Sequence, residues 1–511
     1  MKEAFLASQL FAKKSIDKLI AESEQPEHRL KKTLGPWSLT ALGIGAIIGS
    51  GIFALTGTAA AGEHGDPSFY KVQVLDLFMH LIRGGNLHDI VMYGRPPAGP
   101  AIAISFLLVA VACAFAGLCY AELASMIPIA GSAYTYAYAT LGEIVAWIIG
   151  WDLILEYAVS NMAVAVGFSA YLNDILDGTF GWHLPAKLAG PPIVEGRLTG
   201  AWFNISALLI LLVLSYVLVI GVRESARTNN IMVAIKIAAI LIFVFGAARA
   251  VHTSNWRPFL PNGFSGMLTG AAIVFFTYIG FDSVSTAAEE CRRPQRDLPF
   301  GIIMTLVACA VLYIAVALVL TGIARYDTLN NAAPVANALK MLGFNGIREW
   351  VSLGAILGMI SSLLVFQYGQ ARIWFAMSRD GLLPKAFSMV HPVHQTPHVS
   401  TWIAGLVVGI PAGILDIGTF ADLANIGTLF AFVIVSAGVI VLRRTQPGRP
   451  RGFRVPGGSW LPLISIGFCL VLMMALPLET WVRFFVWLLI GFAIYFPFGR
   501  KRSTLAEGKW R

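Results

Sequence analysis

The sequence predicts an all-α integral membrane protein of about twelve transmembrane helices, the first and the sixth discontinuous. Three observations carry this. Of the 511 residues, 57% are apolar and only 13% charged, against roughly 25% charged in ordinary soluble domains. Apolar stretches of the ~20 residues that span a bilayer recur along the chain. Two of them are broken midway by glycine: Gly43-Ile44-Gly45-Ala46-Ile47-Ile48-Gly49-Ser50-Gly51-Ile52-Phe53, and Phe275-Phe276-Thr277-Tyr278-Ile279-Gly280-Phe281-Asp282-Ser283. Lipid cannot satisfy unpaired backbone groups, so a break at that depth is tolerable only inside protein or a wet cavity. Two such breaks at matching places in two halves point to the site of a secondary transporter.

The elements follow in order. Residues 1–37 form a polar, charged arm without the apolar core of a cleavable signal peptide. Within it, Phe5 to Ile20 interleaves lysines with apolar residues, which suits a helix on the anionic inner leaflet or a solvated helix before the membrane. The spans are expected at 38–61, 100–127, 141–172, 201–221, 228–251, 267–290, 300–323, 348–378, 399–416, 420–442, 460–477 and 480–498, with a tail at 499–511. Residues 62–99 make an outer insertion, and Val72 to Ile82 within it reads as a short amphipathic helix before Gly84-Gly85. Pro128 to Tyr138, with Tyr134, Tyr136 and Tyr138, reads as a short cytoplasmic surface helix or a re-entrant piece, because tyrosine favours the membrane interface. Another interfacial helix is expected from Val335 to Leu342.

The net charge of +9 is explained by topology rather than by nucleic acid. Basic residues precede the first span and follow the sixth (Arg292, Arg293, Arg296), the tenth (Arg443, Arg444, Arg449, Arg451, Arg454) and the last (Arg500, Lys501, Arg502). With an even number of spans all lie on one side, so both termini are expected in the cytoplasm. Glu122 and Glu289-Glu290 sit near those ends as partners for the basic loops. Cys113, Cys119, Cys291, Cys309 and Cys469 suggest neither a disulfide framework nor a zinc pattern. His64, His80 and His88 in the insertion lack the i, i+4 spacing of a helical metal pair. No metal and no cofactor are expected.

At a break, one helix ends with free carbonyls and the next begins with free N–H groups, seating a cation beside an anion. That is the spacing of an α-amino acid. Around Gly49-Ser50-Gly51 the lack of bulk lets a carboxylate approach the amides of Ser50 and Gly51, with the Ser50 hydroxyl as a further donor. The carbonyl of Ile47 is expected to face the ammonium, helped by those of Phe276 and Ile279. The competing reading is tight helix packing through Gly45 and Gly49. Lys236 is a lone cation inside its span: a proton carrier, a stand-in for a bound sodium, or a side chain snorkelling to the interface. Asp152 and Glu156 share a helical face; Glu156 serves as a proton relay or as a neutral carboxyl bonding between helices.

These residues resemble the amino acid–polyamine–organocation superfamily, and within it the cationic amino acid transporter family and its bacterial relatives. Gly43 through Phe53 looks like its first-helix signature. Phe276 to Ser283, Glu289-Glu290 and Arg293-Pro294-Gln295-Arg296-Asp297-Leu298-Pro299 look like its sixth-helix region. Ala371-Arg372, Ala376 to Pro384, His391-Pro392 and Thr396-Pro397 resemble the segment that leaves span eight. The insertion departs from the family's short first outer loop. The resemblance implies two inverted five-helix repeats plus two additional helices, and sodium-independent, proton-linked or exchange-type uptake at the plasma membrane. It places Lys236 against the first helix, Phe276 on one side-chain wall and Phe366 on the other, with Met359 and Ser362 as competitors. Phe366 brings no acid for a cationic side chain, so small neutral L-amino acids are favoured over arginine. Protons and membrane lipids are then partners, and room is left for a small membrane partner. The alternatives are an amine or polyamine transporter, an exchanger, a channel, or a non-transporting sensor; no catalytic constellation points to an enzyme.

Overall fold

In a computed structural model the chain is described over residues 10–23, 34–62, 72–84, 95–129, 131–194, 197–220, 226–288, 291–331, 333–394 and 396–504. A short helix α1 (Ile16–Ser23) lies in the arm. α2 (Pro36–Ile47) starts with proline in its first turn, where no N–H is needed, and stops at Ile48, whose backbone is extended. The chain re-enters a helix through a π-type turn at Gly51–Leu55 and α3 (Thr56–Ala61), bent by 45° from α2. α4 (Val74–Ile82) lies in the insertion. Then come α5 (Ile102–Met126), α6 (Ser132–Thr140) and α7 (Glu143–Phe180). A small antiparallel hairpin, β1 (Ile193–Val194) with β2 (Arg197–Leu198), leads to α8 (Ile205–Ile220) and α9 (Ala226–Ala247).

The second half opens with α10 (Gly263–Val274), a 3₁₀ turn at Phe275–Tyr278 and α11 (Ser283–Thr286). Between them Ile279 is extended and Gly280 takes φ +116°, a region that glycine enters without steric cost. α12 (Pro294–Ile323), α13 (Pro334–Met341), α14 (Asn345–Arg379), α15 (His398–Ala412), α16 (Ile417–Thr445), α17 (Trp460–Met474), α18 (Leu478–Ile494) and the terminal turn α19 (Arg500–Arg502) complete the chain.

Among the described residues eight helices are long and apolar enough to cross a membrane, nine if the bent pair α2–α3 counts as one; α8, α15 and α17 are apolar but shorter. This is a helical, multi-pass membrane protein. α7 is its axis, packed along α14 and α16, while α5 lies on α12, α8 on α15, and α9 on α14 and α2.

Two expectations change in the structure. The arm is not helical through Phe5 to Ile20: residues 12–15 are irregular, α1 begins at Ile16, and residues 1–9 lie outside the described residues. The chain is held there by partners, since Lys14 N–H donates to the Tyr138 carbonyl and Glu143 N–H to that of Ala12. The tyrosines of α6 are buried, which departs from a surface helix and is compatible with the re-entrant alternative. Two of their hydroxyls have carboxyl partners inside the protein: Tyr134 donates to Asp380 at 2.6 Å and Tyr138 to Glu143 at 3.0 Å. His64, His88 and Glu289-Glu290 lie outside the described residues.

Candidate functional site: two helix breaks in contact

The two breaks meet. A Cβ on Gly51 would lie 2.8 Å from Thr277 Cγ2 and 3.0 Å from Thr277 Cα, so only glycine lets the first break close on the second. Gly280 makes the return contact, its Cβ position 3.1 Å from that of Ala46. Tyr313, from α12, spans both breaks. Its hydroxyl lies 3.0 Å from the Thr277 carbonyl and 3.3 Å from that of Ile47.

The first break is further held from α9 and α14. Lys236 is fully buried, and its ammonium donates to the Gly45 carbonyl at 2.5 Å. Gly358 makes room for the lysine stem, its Cβ position 3.2 Å from Lys236 Cγ. Ser362 Oγ lies 3.1 Å from the carbonyls of both Gly45 and Ile48, and it closes on Gly49, whose Cβ would sit 3.1 Å away. The open carbonyls that follow a helix end are thus met by an ammonium and a hydroxyl from the protein itself.

Ser50 is the exception. Its side chain is buried against Gly167 of α7, and its Oγ has no hydrogen-bond partner. A buried hydroxyl without a partner costs about 1–3 kcal/mol, so such a group calls for an explanation. Ser50 and Gly51 open the helix that follows the break, where N–H groups have no partner within the helix. Hydroxyl and amides together are an unfilled donor set of the kind an anion or carboxylate completes.

The other residues singled out in the sequence fall as follows. The Ile47 carbonyl accepts from Gly49 N–H at 3.0 Å in addition to facing Tyr313. Phe276 and Ile279 are buried in the second break, and the Phe276 carbonyl accepts from Ile279 N–H at 3.2 Å. Phe366 is buried edge-on against Tyr157, ring centroids 5.7 Å apart. Its competitors lie nearer the first break: Ser362 as above, and Met359 with its sulfur 3.6 Å from the Gly167 Cβ position that Ser50 also approaches. Glu156 is buried with Oε2 unpartnered, and Asp152 one turn earlier has neither oxygen paired, its Oδ1 only 2.6 Å from the Gly427 Cβ position. Asp282, just past the second break, accepts from Ser132 Oγ at 3.2 Å and is close enough to act electrostatically on Glu156. Glu122 holds the basic loop after α16, bonding Arg443, Arg451 at 3.3 Å and Val455 N–H at 2.8 Å.

Sequence reasoning missed Tyr313 and Gly167. The one available signal for Tyr313 was a single phenol in an otherwise apolar span, and Gly167 carried none. Among the described residues no group of three His, Cys, Asp or Glu is arranged to hold a metal ion.

Residues 86–496 match the amino acid permease family. The chain belongs to that family. This permease is 46% identical to the branched-chain amino acid permease BcaP of Bacillus subtilis over 98% of its own length and 99% of the relative's. It is 45% identical, with the same coverage of both chains, to the methylthioribose transporter of that organism. Against the chloroplastic cationic amino acid transporter 9 of Arabidopsis thaliana it is 37% identical over 81% of its length and 67% of the relative's. The permease is therefore an amino acid transporter of the amino acid–polyamine–organocation superfamily, and its relatives are transporters rather than enzymes.

Proposed function

We propose that this permease takes up small neutral L-amino acids by alternating access, driven by protons and indifferent to sodium. It would work at the plasma membrane, with both termini in the cytoplasm and twelve spans arranged as two inverted five-helix repeats plus two. One observation carries this reading: the unpartnered Ser50 hydroxyl sits buried where two helix breaks meet, beside N–H groups that suit a carboxylate. Lys236 supports sodium independence, because its ammonium already occupies the Gly45 carbonyl at 2.5 Å. Glu156, Asp152 and Asp282 are the buried carboxyls that would carry the proton. The side-chain wall at Phe366 and Tyr157 is aromatic, which suits an apolar side chain.

A second reading has a specific support. A relative named for methylthioribose is as similar as one named for branched-chain amino acids. A sugar thioether has no carboxylate and would leave the Ser50–Gly51 donor set unfilled. Purified permease in proteoliposomes separates the two. Uptake of alanine or leucine under an inward proton gradient, equal with and without sodium and competed by amino acids but not by methylthioribose or putrescine, is expected. The reverse pattern of competition overturns the amino acid reading.

A further inference from the structure

Helix α4 of the insertion turns its apolar side away from the protein. Phe78, Met79, Leu81 and Ile82 are 52%, 40%, 49% and 64% exposed. At 3.6 residues per turn Phe78, Met79 and Ile82 share one side with Leu75, and Leu81 flanks it; Asp76, His80 and Arg83 lie on the other. Asp76 reaches Ser265 in the first turn of α10; burial raises its carboxyl above the ordinary range and that hydrogen bond opposes the rise. Asp76 and Arg83 nonetheless stay exposed, so the polar side opens to solvent, and the half-buried side toward the protein carries Val74, Leu77 and His80.

The helix is firmly mounted. Val74 N–H donates to the Leu476 carbonyl at 3.2 Å, and Leu478 N–H to that of Val72 at 2.9 Å, which fixes its start to the turn between α17 and α18. The Gln73 amide donates to Thr269 of α10. Beyond the helix, Arg95 is buried in an ion pair with Asp422, at the opposite end of α16 from Arg443. The segment is tied down on both flanks while its apolar side is left uncovered.

The turn that carries the start of α4 is flanked by a belt of the same character. Leu470 and Val471, in the last turns of α17, are 45% and 46% exposed; Val482 and Phe485, near the start of α18, are 46% and 54% exposed. In a multi-pass protein such a flank faces lipid. α4 hangs on the turn that joins these two helices, so its apolar side continues the belt. An amphipathic helix of this kind, mounted at a membrane boundary, buries its apolar side among acyl chains.

We propose that α4 is an interfacial helix, with Phe78, Met79 and Ile82 among the lipid chains on the side opposite the basic loops. The occupant of the face is lipid, and α4 is a lipid-contacting helix mounted on the turn between α17 and α18. The test uses the intact permease in phosphatidylethanolamine–phosphatidylglycerol vesicles. All five native cysteines are buried, so a spin label directs itself to a cysteine placed at Phe78, Ile82 or Arg83. Labels in Phe78→Cys and Ile82→Cys should be reached by oxygen and shielded from an aqueous nickel chelate; the label in Arg83→Cys should show the opposite. Equal nickel access at all three positions overturns the proposal in favour of water. Low access to both reagents overturns it in favour of a protein cover, and spin–spin broadening between labels in favour of a second copy. Ile82→Trp gives an independent reading. Brominated lipids should quench its fluorescence beyond the wild-type background, and no added quenching overturns the proposal.

Discussion

The ammonium of Lys236 lies 2.5 Å from the carbonyl of Gly45, joining the middle of α9 to the last turns of α2. A hydrogen bond from a charged donor contributes about 1.5–3 kcal/mol, and leaving the carbonyl buried without it costs about 1–3 kcal/mol. Lys236→Met should therefore loosen α2. Proton-driven accumulation is expected to fall by about tenfold or more, with amino acid binding reduced far less. Vesicle uptake set beside thermal-shift titration checks this, and a variant with normal gradient-driven accumulation would count against the coupling role.

Ser50→Ala tests the donor set with the least disturbance. It removes a hydroxyl that has no protein partner, so stability should hold or rise slightly. Affinity for alanine should fall by about 1–3 kcal/mol, roughly 5- to 150-fold, if that hydroxyl meets the carboxylate. Bulk at Gly51 is a poorer probe, because Gly51→Val would collide with Thr277 before it met any ligand. Unchanged affinity in Ser50→Ala removes Ser50 from the site.

Phe366→Ser opens the wall that Phe366 shares with Tyr157. Arginine uptake should rise relative to alanine by a margin worth about 1–3 kcal/mol, the scale of discrimination set by a few side-chain atoms. Parallel uptake of both substrates by a normally expressed variant decides it. An unchanged ratio would pass the role to Met359, which lies nearer the first break.

Tyr313→Phe keeps the ring and removes the hydroxyl between the breaks. Turnover should slow several-fold, while the affinity for alanine holds or tightens. Separate measurement of exchange rate and equilibrium binding checks the split; a tenfold loss of affinity at normal turnover would contradict it.

Much of this arrangement could be read from the chain alone. Glycines clustered at Gly49 and Gly51 and again at Gly280, at matching places in two spans, point to breaks, and Lys236 stands out as a charge where charges are costly. Glu122 was legible through the arginines downstream, which it binds as their positions suggested. Tyr313 was not, since one hydroxyl on an apolar helix has no direction until neighbouring helices supply it, and Ser362 was legible as a candidate for the side-chain wall but not as the partner of the Gly45 and Ile48 carbonyls. The tyrosines of α6 left two placements open for the same reason. Their carboxyl partners, Asp380 and Glu143, are 246 and 5 residues away, and only the fold brings the distant one near.

Tyr313 has one proton and two carbonyls to serve. The contact to Thr277 is the shorter, at 3.0 Å against 3.3 Å for Ile47. If the two breaks draw apart, the phenol has to side with one of them, and its nearer partner belongs to the second half. The Ile47 carbonyl then loses that neighbour and becomes available to the next suitable cation, such as an incoming substrate's ammonium. Opening and loading would then be one event, a change of partners at a single oxygen atom.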